Sequence, residues 1–152
     1  MKWIQQDMMT YKEAKDYIDT AVIPLVPFQL SQGQELKKNA FQREVLNLFA
    51  GEIERDLAGR VLLIPEFTYL KTSDRQVEGE RLSSWCEEIQ KQPFNHIFFI
   101  TFDPAWKKHE QALAGTLIWL PAMATDSMQT SETHQMIRGQ AQEMGELIRS
   151  YW

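Results

Sequence analysis

Short apolar runs and amphipathic stretches alternate along the chain. Thr20-Ala21-Val22-Ile23-Pro24-Leu25-Val26-Pro27 is continuously apolar after its first residue. Such a run predicts a buried strand in its first half. The second half is expected to leave the sheet, because Pro24 and Pro27 have no N–H for a ladder. Arg60 to Pro65, His96 to Phe102 and Gly115 to Leu120, stopped by Pro121, predict three further strands. Between them the apolar residues recur with a helical period. Thr10 and Glu13 have capping-box spacing ahead of Ala14, Tyr17 and Ile18, which predicts a short helix from Thr10 to Asp19. Ser31 and Gln34 repeat that spacing before Phe41, Val45, Leu48, Phe49, Ile53 and Leu57, with Gly59 placed as the stop. Glu66 to Arg75 is expected to be a polar loop containing aromatic residues. Leu82, Trp85, Cys86 and Ile89 mark a third helix that ends before Pro93. Asp103 as N-cap and Pro104 at the first helical position predict a short helix toward Ala112. A last helix carries Met136, Ile137, Ala141, Met144, Leu147, Ile148 and Tyr151.

Strands alternating with helices, each strand a short apolar run, predict an α/β fold: a three-layer sandwich of about four mostly parallel strands with helices on both faces. Pro24, Pro65, Pro104 and Pro121 stand at or beside the carboxyl ends of the predicted strands. At 152 residues and 43% hydrophobic content, residues 1–152 are expected to form a single domain with one sizeable core. Sixteen Lys and Arg against 21 Asp and Glu give 16 − 21 = −5. That sign offers no general attraction to phosphate backbones, so no nucleic-acid partner is expected. No apolar run approaches the ~20 residues of a membrane span, and Met1 to Asp7 lacks a leader-like apolar stretch. With one cysteine, Cys86, no internal disulfide can form, and a cytoplasmic location with no membrane association is expected.

In an open parallel sheet ligands bind beyond the carboxyl ends of the strands. The segments expected there are Pro27 to Gly33, Glu66 to Arg75, Asp103 to His109, and Ala122 to Ser127. Gly33 is the only glycine in the first of them, and neither GxGxxG nor GxxxxGK[ST] occurs, which sets aside the familiar nucleotide cradles. His96, His109 and His134 lie on separate elements, and no HExxH or HxH pair is present. Glu66, Asp74, Asp103 and Asp126 could gather around a hard cation, but Asp103 has a local N-cap role, so no metal and no cofactor is expected. Cys86 on an apolar helical stripe reads as a core filler with an inert thiol. Ser31, Ser73 and Ser127 read as caps or loop residues. Tyr69 and Lys71, two apart, could act together as acid and base if their loop covered a pocket. Trp106-Lys107-Lys108 could touch an anion, although a packed ring beside solvated ammonium groups explains it as well.

Met1-Lys2-Trp3, Tyr11-x-x-Ala14-Lys15-x-Tyr17-Ile18-Asp19-Thr20 and Val22-Ile23-Pro24-Leu25-Val26-Pro27 resemble the opening of the YpiF-type family of small bacterial proteins. Gly59-Arg60-Val61-Leu62-Leu63-Ile64-Pro65-x-Phe67-Thr68-Tyr69-Leu70 resembles that family's second landmark. The resemblance covers the whole chain and implies no activity, because the family is one of unknown function. A more distant likeness is to creatininase-type metal amidohydrolases, in the order of a strand ending in proline, a helix, and a strand ending in Pro-x-x-x-Tyr. The stretches that would carry that family's metal ligands read Phe28 to Gly33 and Phe102 to Trp106 here, without histidine. The likeness therefore implies a non-catalytic relative.

The expected function is a non-catalytic binding or protein-interaction module acting through the strand ends, with Gln29, Glu66, Tyr69, Lys71, Asp103 and Trp106 as ligand or partner contacts. Phe67, Tyr69 and Trp106 are expected at the rim of the crevice. The alternative is a small-molecule, hydrolase-like enzyme built on Glu66, Tyr69, Lys71 and Asp103. Self-association through Tyr151 and Trp152 is a third reading, against ordinary packing of the two rings.

Overall fold

The computed structural model describes residues 1–123 and 130–152. Ala124, Thr125, Asp126 and Ser127, expected near the strand ends, lie outside the described residues. Among the described residues five strands form the sheet: β1 (Thr20–Phe28), β2 (Val61–Leu63), β3 (Phe67–Leu70), β4 (His96–Thr101) and β5 (Thr116–Trp119). Four helices among the described residues accompany them: α1 (Gln5–Ala14), α2 (Leu36–Asp56), α3 (Arg75–Ile89) and α4 (Ser131–Arg149). A 3₁₀ run, Pro104–Ala112, stands between β4 and β5. The order is β2-β1-β4-β5, β3 pairs with β1 after β2 has ended, and every paired strand is parallel. The α/β sandwich read from the sequence is the fold, with one more strand than the apolar runs indicated.

The extra strand corrects two expectations together. Glu66 to Arg75 is not a loop throughout: Phe67 and Tyr69 are buried while Thr68 and Leu70 face outward, the alternation of an edge strand. Its partner is the second half of β1, Leu25 to Phe28, which stays in the sheet instead of leaving it. The prolines fit because of where their missing donors point. The Val22 carbonyl accepts from Ile64 N (2.9 Å) and the Phe28 carbonyl from Lys71 N (2.8 Å), so even-numbered residues of β1 face the β2–β3 flank. Pro24 faces the same flank at the break between β2 and β3, where Pro65 also lacks a donor. Pro27 faces the β4 flank, beyond the last register pair there, Pro24 with Ile100.

β1 is central, and its first seven residues are all buried, as a strand covered on both faces requires. On one face α2 and α4 pack Phe41, Phe49, Ile53, Ile137 and Ile148 against Val22, Phe98 and Ile100. On the other, α3 and the 3₁₀ run pack Leu82, Cys86, Ile89 and Trp106 against Ile23, Leu25, Phe67 and Phe99. Gly115 lets β5 close on β4: a Cβ there would stand 2.4 Å from the Ile97 carbonyl oxygen.

The termini of the helices depart from the spacing rules in places. α1 begins at Gln5, so Thr10 is interior and caps nothing, and no residue of α1 is buried. Neither Ser31 nor Gln34 caps α2, which is entered through a 3₁₀ turn, Gly33–Glu35. Gly59 does provide the turn after α2, at φ +90°. Asp74 and Asp103 are true N-caps, accepting from Gln76 N (2.9 Å) and Ala105 N (3.0 Å). At the chain's end Tyr151 packs edge-on against Phe98 with centroids 5.3 Å apart. Trp152 donates to Thr20 Oγ1 (2.9 Å) beneath the Arg60 guanidinium, so both rings are engaged within the chain.

Candidate functional site

From β1 the chain crosses to β2 and β3 on one flank, and later to β4 and β5 on the other. The carboxyl ends of β1 and β4 are therefore the topological switch point, where connections diverge and leave a crevice. A cleft of about 320 Å³ occupies that place. Leu25, Val26, Pro27, Phe102 and Pro104 contribute its floor, with Leu46 of α2 and Trp119 of β5. Glu35, Lys38, Asn39, Gln42 and Arg43 form the α2 wall, and Lys71, Arg75 and Asp103 bring charge from the tips of β3, α3 and β4.

Beside the cleft lies a closed polar cluster. Tyr69 donates its hydroxyl hydrogen to Asp103 Oδ2 (2.6 Å), and the Trp106 indole N–H donates to the Tyr69 oxygen (2.9 Å). Arg75 donates Nε to the same Oδ2 (2.9 Å), its Nη2 makes an ion-pair contact with that oxygen at 2.8 Å, and the guanidinium lies over the Tyr69 ring at 4.7 Å. Its remaining reach closes the turn after β3, through the carbonyls of Lys71 (3.2 Å) and Ser73. The other Asp103 oxygen caps the 3₁₀ run. Asp103 N donates to Thr101 Oγ1 (3.0 Å), which donates in turn to the Leu25 carbonyl (3.2 Å), fixing the tip of β4 against β1.

Burial, then the charge of Asp103, pushes the Tyr69 phenol well above its ordinary value. A phenol held neutral with its hydrogen committed to a carboxylate is a poor general acid or base. The cluster ties β3, α3 and β4 together at the edge of the cleft.

Of the six candidate residues, the structure brings Tyr69, Asp103 and Trp106 together. Tyr69 and Trp106 are not rim aromatics, however, and neither is Phe67. They are 2%, 0% and 0% exposed: the odd-numbered residues of β3 point under α3 and the 3₁₀ run, and Trp106 packs inward from that run. Lys71 lines the cleft but makes no acid–base pair with the buried Tyr69. Glu66 points the other way, toward α2, where it accepts from Arg43 Nε (2.8 Å) and Asn47 Nδ2 (2.6 Å). Gln29 is a loop organiser: its Oε1 accepts from Gln32 N (2.8 Å), and its Nε2 donates to Asn39 Oδ1 (3.0 Å). Lys107 sits 3.4 Å over the Trp119 ring, away from Trp106.

Arg75 is the residue that sequence reasoning missed; its partner lies 28 positions away. Cys86 is buried, and its thiol is pushed up to about 11, chiefly by desolvation. Among the described residues no three His, Cys, Asp or Glu side chains are grouped to hold a metal ion. No helix among them is long and apolar enough to cross a membrane.

The family described as "Protein of unknown function (DUF2487)" matches residues 9–152. The chain belongs to this family. It is similar to the uncharacterized protein YpiF of Bacillus subtilis (strain 168), with 32% identity over all of this chain and 98% of that relative. The YpiF-type resemblance read from the landmarks at both ends of the first half thus holds over the full length. No solved structure matches the chain, and the creatininase-type likeness is shown by neither finding. Family membership brings no activity with it, so the functional reading rests on the cleft.

Proposed function

We propose that the protein is a non-catalytic binding domain whose ligand seat is the cleft between the carboxyl ends of β1 and β4. The observation that carries this reading is the coincidence of that cleft with the switch point of a parallel sheet, over an apolar floor walled by polar groups from α2, β3 and β4. The polar cluster beside it supports binding over catalysis. The Tyr69 hydroxyl, the Trp106 indole N–H and both Asp103 oxygens are satisfied by one another or by the backbone. Glu66, the other carboxylate an enzyme reading would enlist, bonds to α2. A rigid, self-satisfied rim is suited to holding a pocket's shape. A buried, unpaired Cys86 fits the reducing interior of a cell, where we place the protein.

The test is a fragment screen followed through backbone amide shifts. Hits that perturb Val26, Asn39, Phe102, Asp103 and Trp119 together are expected. A library whose hits fall elsewhere, or that leaves those amides unmoved, overturns the reading.

A further inference from the structure

The charges around the cleft cancel in pairs, with one remainder. Lys38 lies 3.9 Å from Glu35 on the same turn of helix. Arg43 is held at 2.8 Å by Glu66, and Arg75 at 2.8 Å by Asp103. Among the described residues nothing pairs with the ammonium of Lys71, the remaining cation of the lining. In a chain of net charge −5, this leaves one cation of the lining without a carboxylate partner among the described residues.

The strand order says where that charge stands. Lys71 leaves the tip of β3, on one side of β1, whereas Trp119 ends β5, on the far side of β4. With strands about 4.8 Å apart, β3 and β5 are separated by roughly 14 Å across three steps. Between them lie Pro27, Phe102 and Pro104. The cleft thus runs from Lys71 over an apolar floor to Trp119, whose ring carries the Lys107 ammonium at 3.4 Å.

Resting on the ligand-seat reading above, we infer that this cleft selects a small amphipathic organic monoanion: an acid whose single negative head meets Lys71 while its apolar body lies along Pro27, Phe102 and Trp119. A doubly charged head would meet only one unpaired cation of the lining, Lys71. A volume of about 320 Å³ falls at the small end of ligand sites, which suits a compact acid and not a dinucleotide.

The test uses three probes with one body and three head groups, 4-phenylbutyrate, 4-phenylbutanol and 4-phenylbutylamine, titrated by calorimetry and amide shifts at low salt. The anion is expected to bind in the cleft about fivefold more tightly than the alcohol, the upper range for a partly exposed ion pair, with the amine weakest. Added salt should erase the margin. Lys71→Met should abolish it while leaving alcohol binding intact, and Lys71→Arg should keep it. If the alcohol matches the anion in the cleft, or the margin survives in Lys71→Met, the monoanion inference fails and the ligand seat stands. If all three probes shift amides only outside the cleft, both fail.

Discussion

Replacing Tyr69 with Phe removes one oxygen and leaves the ring in place, so its effect isolates the hydroxyl's two hydrogen bonds. The donated bond, 2.6 Å to a carboxylate held by Arg75, belongs to the charge-assisted class, worth about 1.5–3 kcal/mol. The accepted bond, 2.9 Å from the Trp106 indole, satisfies a ring that is 0% exposed. Without the oxygen that N–H is stranded where water does not reach, at a cost of about 1–3 kcal/mol. Partial relaxation brings the sum toward its lower end, so Tyr69→Phe should destabilise the fold by about 3 kcal/mol. That is a large share of the roughly 5–15 kcal/mol typical of a domain. Urea unfolding followed by circular dichroism and tryptophan fluorescence measures it, with an unchanged m-value expected. A cycle with Trp106→Phe should show coupling above ~1 kcal/mol, because the two changes remove one shared bond. A loss below about 1 kcal/mol, or additivity of the two substitutions, would refute the idea that this hydroxyl pins the strand tips.

Two glycines give opposite expectations. Gly115→Ala would place a Cβ 2.4 Å from a backbone oxygen and 2.9 Å from Ile97 Cβ and Phe99 Cε2, so a loss of about 1–3 kcal/mol from forced separation of β4 and β5 should appear as a lower Tm. Gly51→Ala, inside α2 with nothing within 4 Å of the new methyl, should raise Tm by the equivalent of roughly 0.5–1 kcal/mol. The Arg60 hydrogen bond holds the Asp19 carboxyl below its ordinary value, so this pair's stabilisation is present above about pH 3.9 and is lost as pH falls through the lower folded value. Arg60→Gln should accordingly flatten the acid limb of a stability–pH curve. Tyr69 is shifted upward by burial and the Asp103 charge, so its contribution is full below about pH 10 and declines above it. Tyr69→Phe should weaken the alkaline limb, and one tyrosine should ionise only as the wild-type protein unfolds, visible in the tyrosinate absorbance.

The strands covered on both faces were legible because burial demands continuous apolar runs, and β1, β4 and β5 carry them. Asp103-Pro104 was legible because an N-cap and a following proline act locally. β3 was not, since four residues with alternate polarity resemble a loop until a partner strand is known. That omission also hid the parity separating Glu66 from Tyr69: three apart in an extended chain, they project from opposite faces of the sheet. Arg75 left no local mark either, because its role depends on Asp103 being delivered by a different strand. Loop residues expected to converge could be named from topology, but which of them would satisfy one another depended on side-chain direction.

We propose the tips of β1 and β4 as the ligand seat. A crystal structure of the protein soaked with a fragment hit or 4-phenylbutyrate shows whether that seat is occupied. Density is expected between Lys71 and Trp119 along Pro27 and Phe102, with the Tyr69–Asp103–Arg75 cluster unmoved. Density confined to another surface, such as the arginine-lined hollow between α2 and α4 at Arg55, Arg138 and Arg149, with the cleft empty, would contradict it.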